Sequence, residues 1–242
     1  MERLDKVLSG TGRWSRREVK ELVRRGRVLL DGVPAASPEQ KIDPETADIR
    51  VDGETVSCRR FTYVLLHKPA GVLSAVEDSR QRTVLDLLPQ ELKRQGLSPV
   101  GRLDKDTEGL LLITDDGALN HSLLAPGRHV PKTYYARIHG IVTESDITAF
   151  KNGLDIGEKK MTAPAALKIL HIAENEQTSE ILVTITEGKF HQIKRMFQSV
   201  GKKVSYLKRL SMGSLHLDEK LAPGAWRELT LEEITKLKEE TI

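Results

Sequence analysis

The pattern of polar and apolar positions at the start of the chain predicts a small unit of helices and hairpins. In the stretch "SRREVKELVRR", Val19, Leu22 and Val23 recur at spacings of three and four, which predicts a helix with one buried stripe. Ser15 and Glu18 stand at its start with the spacing of a capping box. The pattern therefore predicts a capped amphipathic helix.

Turn signals come directly after this helix. Gly26 suits the left-handed position that ends a helix. Asp31-Gly32 and Asp52-Gly53 each stand between short apolar runs, which is a strong short-range signal of a β-hairpin. We expect two tight hairpins after the helix, with "DIRV" as one of their strands.

Beyond residue 60, runs typical of strands alternate with segments at helical spacing. The expected strands are "FTYVLLHK", "GLLLIT", "TYYARIHG", "EILVTIT" and "VSYLKRLSMGSLHL", and the expected helices are "TVLDLLPQELKRQ", "ESDITAFKNGL" and "HQIKRMFQSV". The strands are apolar on one side, which favours a mixed, largely antiparallel sheet with helices packed against it. We predict an α+β fold. In and just before the last helix, we expect a buried stripe formed by Phe190, Ile193, Phe197 and Val200.

The composition is that of a soluble globular protein of 242 residues, 38% hydrophobic and 30% charged. Its apolar runs are too short to span a membrane, and the charged start "MERLDKVLSG" does not fit a secretory signal. Cys58 is the single cysteine, so an intramolecular disulfide and a zinc site built from cysteines are excluded. We expect a cytoplasmic protein.

Positive charge is concentrated in two segments, although the net charge is only +3. Residues 1–30 hold nine lysines and arginines against four acidic residues, and residues 189–209 hold seven and no acidic residue. Two separated basic segments predict a polyanionic partner such as nucleic acid. The alternative is that these side chains only keep the surface soluble.

Five acidic residues flank an apolar run in "GRLDKDTEGLLLITDDG", which begins at Gly101. Counted from Asp104, several oxygen ligands and a glycine fall where a calcium-binding loop has them. Position nine, however, is Leu112, position twelve is Asp115 instead of a glutamate, and the run between them has the pattern of a buried strand. We therefore expect no bound metal.

The residues alone favour structural roles for these carboxylates. Asp115 and Asp116 precede a glycine and are expected to close a turn by binding nearby amides. Asp106 and Glu108 are expected to pair with basic side chains in a loop. Asp104 differs because it stands between two basic residues at the lip of an apolar strand, where cations can hold it in its charged form. A surface salt bridge remains the simplest interpretation of that position.

The N-terminal pattern resembles the S-four-type RNA-binding domain, which is named after a small-subunit ribosomal protein. The matching stretches are "RLDKVL", "SRREVKELVRRGRVLLDG" and "DIRV". The resemblance implies an RNA-binding domain over residues 1–58. Its basic residues would hold RNA phosphates with little sequence information. The residues expected to do so are Arg3, Lys6, Arg16, Arg17, Lys20 and Arg24.

Four later stretches resemble, in order, the motifs of pseudouridine synthases: "HKPAGVLSA", "GRLDKDTEGLLLITDDG", "KTYYARIHG" and "EGKFHQIKRMF". The resemblance extends to "LAPGAWRELTLEEI" and so covers nearly the whole chain. The stretches "FHQIKRMF" and "LAPGAWRELT" are most similar to the subfamily that acts on small-subunit ribosomal RNA. This implies a catalytic domain over residues 61–236, followed by a tail over residues 237–242.

The resemblance implies a role for each matched residue. Asp104 would be the nucleophile that attacks the ribose or the uracil ring, so that the base detaches, rotates and rejoins through carbon. Tyr134 would stack on the uracil, Ile193 would border its pocket, and Lys194 would pair with Asp104 and keep it charged. Arg102 would fill the gap left by the flipped base. An isomerisation needs no cofactor, and none is expected.

Other residues of these motifs receive supporting roles. Lys68, Pro69 and Gly71 are assigned to the floor of the site, and His191 and Arg195 to structural support or phosphate contact. The expected function is uridine isomerisation in small-subunit ribosomal RNA by a monomer. The alternatives are a synthase that acts on large-subunit ribosomal RNA, or a non-catalytic RNA-binding factor in ribosome assembly.

Overall fold

The computed structural model describes residues 1–56, 58, 61–92 and 96–240. The chain divides into two compact units, Met1–Thr62 with Leu229–Lys236 and Tyr63–Glu228 with Leu237–Ile242. The domain limits expected from the sequence, between residues 58 and 61 and before a tail at 237–242, stay predictions. Residues 57, 59, 60, 241 and 242, which those limits involve, lie outside the described part.

The first unit consists of short elements. They are β1 (Glu2–Arg3), α1 (Leu4–Gly10), α2 (Arg16–Arg24), β2 (Val28–Leu30), β3 (Val33–Pro34), β4 (Lys41–Ile42), β5 (Ile49–Val51) and β6 (Glu54–Thr55). Strands β3, β2, β5 and β6 form an antiparallel sheet in that order, and β1 pairs with β4. Apolar residues of both helices and of the sheet form the core of this unit, among them Leu8, Val19 and Ile49.

The start of α2 and the turns around it agree with the sequence signals. The Ser15 hydroxyl accepts a hydrogen bond from the Glu18 amide, and the Glu18 carboxylate accepts one from the Ser15 amide, which confirms the capping box. Gly26 has a φ of +68°. Asp31 and Gly32 both have positive φ, 51° and 81°, as the tight hairpin between β2 and β3 requires. The second predicted hairpin, between β5 and β6, is also present.

The second unit contains a nine-stranded sheet with helices. Its elements are β7 (Tyr63–Lys68), β8 (Ser98–Pro99), β9 (Glu108–Thr114), α3 (Gly117–Leu124), β10 (Lys132–His139), α4 (Glu144–Asn152), β11 (Ala166–Ala173), β12 (Thr178–Ile185), α5 (Gln192–Ser199), β13 (Lys203–Met212), β14 (Leu215–His216) and β15 (Trp226–Glu228). Short 3-10 helices lie at Val84–Leu87, Gln90–Leu92, Pro126–Arg128 and Glu174–Glu176. Most of the last helix, α6 (Leu231–Glu239), belongs to the first unit, which includes Leu229–Lys236.

The main path of the large sheet runs β11-β12-β10-β13-β9-β7-β15, with β14 beside β13 and β8 beside β9. Every pair is antiparallel except β13 and β9, which are parallel. The predicted α+β fold with a mixed, largely antiparallel sheet is confirmed. Helix α5 connects β12 to β13, so it lies close to the loop that enters β9.

Gly109 makes the parallel pairing of β9 with β13 possible. Its φ is +107°, and a Cβ at this position would overlap the backbone of Arg209 on β13. Only glycine combines this φ with such a close approach of two backbones. The approach fixes the start of β9, and with it the preceding loop that carries Asp104.

One core cluster packs the central strands against α4 and α5. Ala136, Ile138 and Val183 from the sheet are fully buried in it. The rings of Phe150 and Phe197, one from each helix, meet with centroids 4.8 Å apart. Helix α5 is therefore held to the sheet by its apolar side.

The sequence prediction is wrong for one helix. The pattern of residues 83–95 predicts a single helix, but Val84–Leu87 and Gln90–Leu92 form two short 3-10 helices, and residues 93–95 lie outside the described part. Pro89 explains the break, because proline has no amide hydrogen and keeps the residue before it extended. Leu88 has a ψ of 148° accordingly.

The predicted burial is wrong for Phe190. This ring precedes α5 and is 73% exposed, while Met196 fills the buried side of the helix together with Ile193 and Phe197. A left-handed residue, His191 with a φ of 49°, separates Phe190 from the helix and breaks the helical spacing.

No helix of the described chain is long and apolar enough to cross a bilayer.

Candidate active site

The loop that carries Asp104 is fixed by hydrogen bonds to its main chain. Lys68, at the end of β7, is fully buried, and its ammonium donates to the carbonyls of Asp104 (3.1 Å), Thr107 (2.8 Å), Lys105 (3.3 Å) and Pro69 (3.0 Å). Burial lowers the pKa of Lys68 to about 8, although the nearby carboxylates, Asp106 foremost, oppose this. The sequence assigns Lys68 only to the floor of the site, whereas the structure shows it binding the loop itself.

The neighbouring part of the loop is held from its other side. The Ser74 hydroxyl donates to the Leu103 carbonyl (2.9 Å) and accepts from the Leu103 amide (3.1 Å). The Gly71 amide donates to the Lys105 carbonyl (2.7 Å). With its backbone anchored, the Asp104 side chain projects at the surface and is 27% exposed.

Lys194 on α5 bridges two carboxylates of this loop. Its Nζ lies 2.9 Å from Asp104 Oδ2 and 2.6 Å from Asp106 Oδ1. Burial alone would lower the pKa of Lys194, but its hydrogen bonds to Asp106 and Asp104 outweigh burial and raise it. Partial desolvation would raise the pKa of the mostly exposed Asp106 carboxyl, but the same contact outweighs it and lowers that pKa. Lys194 therefore stays charged beside Asp104 at neutral pH.

A third group approaches Asp104 from the residue before α5. His191 Nε2 lies 3.5 Å from Asp104 Oδ1, on the carboxylate oxygen that Lys194 does not bind. The contact becomes an ion pair only when the imidazole is protonated. The sequence links His191 to structural support or phosphate, and no pattern in it indicates a position beside the carboxylate.

Asp104 opens onto a small pocket of about 90 Å³. Its walls are about equally apolar and polar. Leu103, Tyr134, Ile185, Ile193 and Leu207 supply the apolar surface, and the polar groups come from Arg102, Asp104, Thr107, Lys189, His191, Gln192 and Lys194. The sequence-predicted residues Arg102, Asp104, Tyr134, Ile193 and Lys194 thus line one cavity. Tyr134 is 7% exposed, and its neighbour Tyr135 points to the other face of the sheet, where it meets the ring of Tyr206 edge-on.

A larger groove of about 770 Å³ adjoins this pocket and shares Arg102, Asp104 and His191 with it. Two buried cations, Lys132 and Arg209, stand in its lining. Burial, and secondly the charge of Arg209, lower the pKa of Lys132 to about 8. Asp104 therefore lies where a pocket the size of a small ring meets a groove with room for more of a ligand.

The remaining carboxylates of the loop have structural partners. Asp116 accepts from the Leu119 amide and caps α3, and it also accepts from the Tyr63 hydroxyl at 2.9 Å. Asp116 therefore binds a nearby amide as expected, but it starts a helix instead of closing a simple turn. Asp106 pairs with Lys194 as expected, but Glu108 lies in β9 instead of a loop and accepts from the Tyr206 hydroxyl. Because residues 108–114 form a buried strand, they do not have the shape of a calcium-binding loop.

In the first unit, five of the six predicted RNA-binding residues line one groove of about 410 Å³. They are Arg3, Lys6, Arg16, Arg17 and Lys20. Arg24 is outside this lining and pairs with Glu21 at 2.7 Å. Asp5 in the groove is bound by Arg3, whose hydrogen bonds lower the pKa of the Asp5 carboxyl. The groove is basic, and its one acid is neutralised.

Comparison with known proteins finds a match for two parts of the chain. The sequence profile of the RNA pseudouridylate synthase family matches residues 62–199, and that of the S4 domain matches residues 2–47. The chain belongs to the RNA pseudouridylate synthase family. It is an enzyme of this class, an isomerase, and it carries an S4 domain, as the sequence motifs predicted.

Relatives of this pseudouridine synthase align along nearly its full length. The uncharacterized RNA pseudouridine synthase YtzG of Bacillus subtilis is 49% identical over 98% of both chains. Ribosomal small subunit pseudouridine synthase A of Vibrio cholerae is 38% identical over 97% of this chain and 99% of its own. Ribosomal large subunit pseudouridine synthase B of Bacillus subtilis is also 38% identical, over 98% and 96%. A crystal structure of a pseudouridylate synthase is 34% identical, with a TM-score of 0.67, and covers 98% of this chain and 100% of its own.

Proposed function

We propose that this pseudouridine synthase isomerises uridine to pseudouridine at a specific site of small-subunit ribosomal RNA, with Asp104 as its nucleophile. The observation that carries the proposal is the position of Asp104. Its backbone is fixed by Lys68, its carboxylate is paired with Lys194, and it lines a pocket that also contains Tyr134 and Ile193. A carboxylate that is paired with an ammonium and lines such a pocket is suited to covalent catalysis.

In the proposed reaction a carboxylate oxygen of Asp104 attacks the ribose or the uracil ring. The bond between N1 and C1′ breaks, the uracil rotates within the pocket, and a bond forms between C5 and C1′. The bond between Asp104 and the ribose or the ring then breaks, which restores the free carboxylate. The proton on C5 is lost and N1 takes one up, so atoms and electrons balance without a cofactor. Tyr134 and Ile193 line the pocket in which the ring turns.

Access of the uridine to Asp104 requires extrusion from the RNA stack. Arg102 is exposed, stands two residues before Asp104 and lines both the pocket and the groove. In the proposed reaction its guanidinium enters the space that the extruded base leaves. The basic groove of the first unit would hold RNA phosphates through Arg16, Arg17 and their neighbours.

The choice of small-subunit RNA rests on the motifs "FHQIKRMF" and "LAPGAWRELT", since relatives named for both subunits are 38% identical to this chain. A synthase that acts on the large subunit is the second candidate. The proposal also includes that the enzyme is cytoplasmic, works as a monomer and takes part in ribosome biogenesis. An assembly factor without activity is disfavoured by the intact arrangement of Asp104, Tyr134 and Lys194.

The test is a map of pseudouridines in ribosomal RNA from cells that lack the gene, complemented with the wild-type gene, with Asp104→Asn or with Asp106→Asn. We expect one site in small-subunit RNA to disappear in the deletion strain and to return with wild type and Asp106→Asn but not with Asp104→Asn. A site lost only from large-subunit RNA would transfer the proposal to that subunit. Full modification by Asp104→Asn would refute the nucleophile.

A further inference from the structure

The feature that the proposed reaction leaves unused is the exposed ring of Phe190. It is the most exposed large apolar side chain of the described residues after Met1 at the chain start, at 73% against 84%. A single exposed apolar ring needs no explanation by itself. The case for Phe190 therefore depends on how the ring is held and on what surrounds it.

Phe190 is held outward by a fixed turn. Its carbonyl accepts from Arg195 Nη1 at 3.1 Å, and Arg195 also binds Glu158 and the Ile156 carbonyl. One residue earlier, the Lys189 amide donates to the Gln192 side chain at 2.9 Å. The backbone on both sides of the ring is therefore tied down, so the exposure of the ring is built into the fold.

The ring is also placed with respect to the nucleophile. Phe190 stacks on His191 with centroids 3.8 Å apart and an interplanar angle of 20°. His191 in turn lies 3.5 Å from Asp104 through its Nε2. The imidazole covers one face of the phenyl ring, and the other face is exposed to solvent.

Phe190 lines the groove of about 770 Å³ but not the pocket of about 90 Å³. The groove is too large for the uracil alone and continues from Asp104, so a nucleotide next to the target uridine in the strand has space there. Basic residues outnumber acidic residues in the lining of the groove. The basic residues are Arg102, Lys105, Lys132, Lys189 and Arg209, and the acidic residues are Asp78, Asp104 and Glu187.

We propose that Phe190 is a stacking platform for the base of a nucleotide directly adjacent to the target uridine in the same RNA strand. Extrusion of the uridine removes a stacking partner from both of its neighbours. An aromatic face stacks any base and is found where proteins hold unpaired strands. The cations of the groove suit the phosphates that accompany that nucleotide. This inference rests on the proposed function, since it requires an RNA substrate extruded toward Asp104.

The test compares Phe190→Ala, Phe190→Leu and Phe190→Trp on two kinds of RNA. One is the intact target and the other has an abasic residue on the 5′ or the 3′ side of the target uridine. Loss of one base stack corresponds to a decrease in kcat/KM of roughly 5- to 150-fold. We expect Phe190→Ala and Phe190→Leu to show that decrease on intact RNA and Phe190→Trp to retain activity. On one of the two abasic substrates, wild type and Phe190→Ala should become equal.

Leu170→Ala is the matched control, because Leu170 is an exposed apolar residue of the same unit that does not line the groove. It should leave kcat/KM unchanged on every RNA. Equal decreases for Phe190→Ala on intact and on both abasic substrates would overturn the platform, as would full activity of Phe190→Leu. A defect confined to assembling ribosomal particles and absent on free RNA would assign the ring to a protein partner and also overturn it. If wild type converts no RNA at all, the proposed function itself has failed, which is a separate result.

Discussion

Lys194 Nζ lies 2.9 Å from Asp104 Oδ2 and 2.6 Å from Asp106 Oδ1, so one ammonium joins two carboxylates of the same loop. The two acids differ in exposure, 27% for Asp104 and 73% for Asp106. Only Asp104 lines the pocket. The loop therefore contains both a candidate nucleophile and its natural control.

Asp104→Asn and Asp106→Asn separate chemistry from charge. We expect Asp104→Asn to lower the single-turnover rate of pseudouridine formation by at least about a thousandfold, because an amide cannot replace the attacking carboxylate. Asp106→Asn should cost less than about tenfold, since Lys194 keeps its contact with Asp104. Conversion of transcribed small-subunit RNA measures both. Similar losses of rate in the two variants would mean that the negative charge of the loop matters and that Asp104 is not a nucleophile.

The pH dependence of the rate should report on Lys68. Below about pH 8 its ammonium binds the carbonyls around Asp104, and above that value it loses a proton and a donor. The rate constant for the chemical step should therefore fall as the pH rises through about 8. Lys68→Arg should remove this fall, because arginine stays protonated, although its larger head will lower the rate at every pH. Lys132→Met, which affects the other lysine with a pKa of about 8, should keep it. If the rate constant of Lys68→Arg still falls above about pH 8, the titrating group is not Lys68.

Because of Lys132, the free energy of unfolding should rise as the pH becomes alkaline. Its folded-state pKa of about 8 lies below the ordinary value of 10.5, so below pH 8 both states bear the charge. Between pH 8 and 10.5 the unfolded chain binds more protons, and the free energy of unfolding rises with pH, by at most about 3 kcal/mol. Urea unfolding of wild type and Lys132→Met from pH 7 to 10.5 measures the difference.

In that experiment Lys132→Met should be the more stable protein near pH 7, because it removes a buried charge beside Arg209, and the advantage should vanish near pH 10.5. Lys151→Met, a change of an exposed lysine on α4, is the control and should behave as wild type does. Parallel curves for wild type and Lys132→Met would show that Lys132 titrates normally in the folded protein.

The salt dependence of RNA binding should identify the phosphate contacts of the first unit. Arg16 and Arg17 are exposed and line the basic groove. Replacing either by glutamine should weaken binding and reduce the slope of log Kd against log salt by about 0.7 to 0.9, the amount expected for one phosphate contact. Arg50→Gln removes the same charge from a residue outside that groove, one that pairs with Asp48. An Arg50→Gln effect as large as that of Arg16→Gln would mean that only overall charge matters.

Much of the local structure is encoded over short distances in the sequence. The capping box of Ser15 and Glu18 and the turn at Asp31-Gly32 depend on residues a few positions apart, so their pattern is sufficient to predict them. The sheet order and the parallel pair of β9 and β13 depend on contacts between distant residues. No local pattern contains that information, although the glycine in "EGLLLIT" marks where the two backbones approach.

The sequence by itself determined which side chains can do chemistry: the motif around Asp104, the tyrosine of "KTYYARIHG" and the lysine of "HQIKRMF" predicted the family and its candidate residues. Only the tertiary structure decided how they meet. Asp104 and Lys194 are joined because α5 packs beside the loop that Lys68 holds, and Phe190 is exposed because His191 takes a left-handed conformation before the helix begins. A helical spacing assigns a residue to the core only where the helix has already started. The physical reason is that side-chain direction depends on the backbone torsions, and these are set here by contacts from other parts of the chain.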